Sequence, residues 1–86
     1  MPHPMPSVGR IVHYTPHPED AAIHGVADGP HPAIVTEVRG SDLQEELSLI
    51  VFFGGKMGGG GTFAAGRCRH SYTPIPGTWH WPPRLP

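Results

Sequence analysis

Along much of this chain, apolar and polar residues alternate with a period of two, the mark of a strand that hides one face and shows the other. Val8–Tyr14 places Val8, Val12 and Tyr14 on one face, and Ile11 and His13 on the other. A second stretch, Ala33–Arg39, ends at the turn signal Gly40-Ser41-Asp42. Leu47–Phe53 is the most apolar, with Leu47, Leu49, Val51 and Phe53 on one face and Ser48, Ile50 and Phe52 on the other. Because Ile50 and Phe52 leave that second face apolar as well, something is expected to cover it. Phe63–Tyr72 reads as a fourth strand bent at Gly66, and Thr78–Trp81 as a short fifth strand stopped by Pro82-Pro83.

The segments between these strands are rich in turn formers. Residues 15–32 read as a long first loop in which Pro18–Val26 manages one helical turn and no more, starting at Glu19-Asp20. Residues 54–62, with the run Gly58–Gly61, read as a flexible glycine-rich hairpin loop. The run lacks the Gly-Lys-Ser/Thr ending and following helix of a phosphate loop. Pro74-Ile75-Pro76-Gly77 forms a terse turn before the last strand. Five short strands, one long first loop and a brief final turn predict an all-β fold: a small SH3-like five-stranded barrel over residues 8–81. Extended proline-rich arms flank it, residues 1–7 at the N-terminus and a tail at 82–86.

Composition supports a folded, turn-rich domain. The 86 residues include 12 Gly and 12 Pro, yet 37% are hydrophobic and fall in compact runs that disordered chains lack. A chain this short is one domain of modest stability. Its net charge of -1 offers no attraction to phosphate backbones or anionic lipid, so neither nucleic acid nor membrane is expected as a partner. The opening MPHPMPSVGR has no apolar signal region, and no stretch approaches a membrane span, so the protein is expected to be made and kept in a cytoplasm.

Candidate chemistry is thin. The single cysteine, Cys68, lies between Arg67 and Arg69, which would lower its pKa if the side chains converged. In a strand the arginines face away from it, and a small buried residue is expected. His13 and His17 have a zinc-like gap that works on a helix, but Pro16 and Pro18 forbid one there. His70 and His80 are placed to meet across paired strands. No metal site, cofactor or catalytic residue is expected, and the scattered acids form no catalytic pair. The chain reads as a binding protein, not an enzyme. Trp79 and Trp81 share one strand face and are candidate anchors with Tyr72 and Ile75, unless both tryptophans simply close the bottom of the barrel. Ile50 and Phe52, and Pro2, Pro4 and Pro6 of the arm, complete the candidate partner contacts.

The blocks GRIVHY at Gly9–Tyr14, PAIVTEV at Pro32–Val38 and GTWHWP at Gly77–Pro82 resemble a group of short accessory proteins of tailed bacteriophages and prophages. The resemblance implies a phage-encoded accessory protein and carries over no catalytic residue. Together with the small barrel, the near-neutral charge and the extended proline arms, it leads to the expectation of a structural protein of the virion. A capsid decoration or cement subunit bound to the major capsid protein is the leading expectation, with self-association as a further contact. A tail or connector component and a non-virion adaptor that binds a host protein are the alternatives.

Overall fold

The computed structural model describes residues 6–27, 29–40, 45–55 and 58–83. It contains β1 (Ile11–Tyr14), α1 (Pro18–His24), β2 (His31–Arg39), β3 (Glu46–Gly54), β4 (Gly60–His70) and β5 (Thr78–His80). The strands form a closed barrel in the order β1-β2-β3-β4-β5, with β5 returning to β1. Strand directions cannot alternate at every seam around a ring of five. One seam must be parallel, and it falls between β4 and β5, while the other four are antiparallel. The fold is a small, mostly β domain with a mixed barrel and one short helix.

Two bulges keep the same apolar face inward along the long strands. Between the Val35–Leu49 and Glu37–Ser48 pairs, β2 carries one extra residue, and the Thr36 hydroxyl donates to the Ser48 carbonyl at 3.0 Å. The inward set shifts accordingly from Ala33 and Val35 to Val38. On β4 the extra residue lies between the Leu49–Ala65 and Leu47–Cys68 pairs, where Arg67 takes φ 55°. The inward set there passes from Phe63 and Ala65 to Cys68. The core is Val12, Tyr14, Ala33, Val35, Leu47, Leu49, Val51, Cys68 and Trp79, with Phe63 and Trp81 packed against it.

Several boundaries differ from the sequence expectation. β1 starts at Ile11, because the chain turns at Val8-Gly9, with Gly9 at φ 92° and Arg10 N–H donating to the Ser7 carbonyl. Val8 is therefore exposed and does not share the inner face with Val12 and Tyr14. The glycine-rich loop is shorter than 54–62: Gly60 and Gly61 pair with Gly54 and Phe53 as strand residues. β4 ends at His70 and β5 at His80, each earlier than expected.

The helix exceeds the single turn expected. Asp20 N–H donates to the His17 carbonyl, and the His17 N–H donates to Asp20 Oδ2 at 2.8 Å. With Pro18 at the first helical position, this reciprocal cap satisfies the opening turn. Gly25, at φ 70°, ends the helix after His24. The His24 ring then stacks on Phe63 at 5.1 Å and lies 6.3 Å from Phe53. Val26, fully buried, bridges to Gly55, and His31 donates from Nε2 to the Ala27 carbonyl at 2.8 Å.

Candidate functional site

Side chains directly opposite on antiparallel strands share a face, so the register fixes what the barrel shows outside. Val12, Ala33, Val51 and Phe63 form one inward row across β1 to β4. The next rung, Ile11, Ile34, Ile50 and Ala64, faces outward over the same four strands. Ile11 is 55% exposed, Ala64 is exposed, and Ile34 and Ile50 are half-buried. Phe52, two residues along β3 on the same face and 41% exposed, extends the row. Three isoleucines, an alanine and an aromatic ring thus lie together on the outer surface of the sheet. The sequence singled out Ile50 and Phe52 but not Ile11, Ile34 or Ala64. The available signal was that β1 and β2 also carry an isoleucine opposite their core face.

A second feature lies where β4, β5 and β1 meet. A cleft of about 360 Å³ is lined by His70, Tyr72, His80, Trp81 and Pro83. Tyr72 stands 75% exposed with its ring 4.5 Å from that of His70, and the Arg10 guanidinium lies 5.5 Å from the Trp81 ring centre. His80 pairs with His13 across the β1–β5 seam, and their rings meet edge to face at 5.5 Å. The register sets His70 opposite Trp79, so His80 meets His13 on the paired strand, whereas His70 reaches it only as a neighbour in the cleft. Burial lowers the His80 pKa first, and the neighbouring His13 lowers it further.

The remaining candidates are distributed unevenly. Trp79 is wholly buried, packed against the rings of His70 and Trp81, and so offers no surface to a partner. As a partner anchor it is corrected to a core residue, because alternation along β5 identifies a face without showing whether the barrel closes over it. Trp81 is half-buried at the cleft. Ile75 is half-exposed in the crossing between β4 and β5, apart from the outer row. Pro6 is buried, unlike a free arm, and Pro2 and Pro4 lie outside the described residues.

Among the described residues no group of three or more histidine, cysteine or carboxylate side chains converges. Cys68 is buried, its Sγ 3.7 Å from the Gly66 carbonyl, and its pKa is pushed up to about 11 by burial and then by the carboxylates of Asp20 and Glu46. Arg67 and Arg69 do not activate it: both are exposed, and Arg69 lies 3.5 Å from Glu46. In the native protein at neutral pH, Cys68 is expected to react with a maleimide at least ~100-fold more slowly than a free thiol. Timed mass spectrometry with and without denaturant checks this, and comparable rates in both would show that the thiol is accessible. Compared with protein-family models, curated proteins and solved structures, the chain matches none.

Proposed function

We propose that this chain is a non-enzymatic structural subunit of a tailed-phage particle, a capsid decoration protein that grips the major capsid protein through the outer face of its barrel. The observation that carries this reading is the outward row Ile11–Ile34–Ile50–Ala64 with Phe52 beside it. Apolar side chains held together on the outside of a domain this small favour burial against another protein surface. The resemblance of GRIVHY, PAIVTEV and GTWHWP to phage accessory proteins supplies the setting. The barrel belongs with the SH3-like small barrels in this reading, supported by the four-strand antiparallel meander and the parallel closure after a brief crossing.

The test is co-sedimentation of the purified protein with phage shells that lack it. Ile11→Glu and Phe52→Glu alter exposed positions, so each is expected to keep Tm close to wild type while weakening shell binding about tenfold or more. Wild-type binding by both variants would remove the outer row from the interface. Failure of the wild type to bind shells would favour the adaptor reading, for which the Tyr72–Trp81 cleft is the specific feature.

A further inference from the structure

Strand β5 closes the barrel yet is only three residues long. It holds two registered pairs with β1 and two with β4. Its carbonyls receive two further hydrogen bonds at 3.0 Å, from Thr15 N–H to Thr78 and from Ser71 N–H to Trp79. Beneath it lies Trp79, the largest of the fully buried side chains. Any event that loosens β5 therefore opens the barrel at its narrowest fastening and reaches the core directly.

The His13–His80 pair sits on that fastening. Nδ1 of each ring is buried and has no hydrogen-bond partner. A neutral imidazole tolerates this, because one ring nitrogen carries only a lone pair. An imidazolium does not, since both of its nitrogens are donors and one would be left buried and unpaired. Two such rings 5.5 Å apart would also repel. Around His80, the groups that face it are His13 from β1, His70 from β4, Tyr72 just beyond β4, and Arg10 through its contact with Trp81. Among the described residues, the cleft lining includes no carboxylate to compensate a positive ring.

We propose that His80, set against His13 across the β1–β5 seam, is a proton-sensitive latch that keeps β5 docked at neutral pH and releases it in mildly acidic solution. The direction follows from the lowered His80 pKa, which means that the closed state holds fewer protons than the open one. Closure is then at full strength above the ordinary histidine value near pH 6.5 and weakens as pH falls through that value toward the lower one in the closed protein. Release would expose the Trp79 face of the core and free the edges of β1 and β4, making acidification a route to local opening ahead of global unfolding.

The experiment is hydrogen exchange by NMR on the full chain at about pH 7.5 and about pH 5, read at the Thr15 and Ser71 amides, which donate to β5. In the wild type their protection factors should fall about tenfold or more relative to amides of the β2–β3 ladder, as expected for one linked proton over a pH unit. His80→Phe retains a ring at the seam and cannot protonate, so its protection should stay constant. His80→Gln, neutral and unable to protonate, provides the same test should His80→Phe fail to fold. Unchanged protection in the wild type, or an equal loss in the variant, would overturn the latch.

Discussion

Trp79→Ala is expected to leave the protein largely unfolded at physiological temperature. Trp79 is fully buried in a three-residue strand, with its ring 4.8 Å from His70 and 5.8 Å from Trp81. Truncating a buried Trp to Ala costs about 3–5 kcal/mol, because transfer energy is lost and a cavity remains. A domain's whole stability is only about 5–15 kcal/mol, and a chain this short belongs at the low end. The cavity would also lie under the strand that closes the barrel, so collapse around it would pull β5 from β1 and β4. Thermal unfolding followed by circular dichroism should show a loss of Tm of more than 10 °C, at about 4–8 °C per kcal/mol. A Tm within a few degrees of wild type would mean that the barrel closes without this residue.

Gly60→Ala is expected to be nearly as damaging, for a different reason. Gly60 begins β4 opposite Gly54, and a Cβ there would collide with the backbone carbonyl oxygen of Phe53. Backbone cannot swing aside as a side chain can, so the β3–β4 ladder must shift at its turn end. The expected cost is about 2–3 kcal/mol, the upper range for forced overpacking. Gly66→Ala provides the contrast, because a Cβ there meets no heavy atom within 4 Å. Reducing the freedom of the unfolded chain should make that change neutral or stabilising by up to about 1 kcal/mol. Chemical denaturation of both variants checks the pair. Equal effects would mean that chain entropy, and not the contact with Phe53, decides the outcome.

The sequence shows the strands more clearly than their edges. Alternation over Leu47–Phe53 gives the correct inner face because it is local: Leu47, Leu49 and Val51 are all fully buried. Sequence pattern alone foreshortens the helix because its cap is His17, a residue that rarely plays that part, although Asp20 and Gly25 stand at the right offsets. The bulges at Thr36 and Arg67 left no mark that local alternation can show, since an extra residue is defined only against the partner strand. The glycines at 60 and 61 carry no side chains to alternate, and their place in β4 follows from pairing with β3.

Non-local register also explains what was legible of the candidate site. Ile50 and Phe52 stand out within one strand, whereas Ile11, Ile34 and Ala64 join them only once three seams are aligned. The closing β1–β5 seam sets His13 opposite His80 in the same non-local way. Trp79 and Trp81 share a face as the spacing says, but closure by β1 and β4 turns the first into core and leaves the second at the rim of the cleft. What a domain shows to its partners is thus the part of its sequence pattern that closure does not consume.

The proposed role as a shell-bound phage subunit meets its most direct test in quantitative mass spectrometry of purified particles from a lysate, comparing this chain with the major capsid protein. The account predicts that the chain is present at a one-to-one ratio or a simple fraction of it. A ratio equivalent to about a dozen copies or fewer would contradict decoration in favour of a connector or tail position, and absence from particles would contradict a virion role altogether.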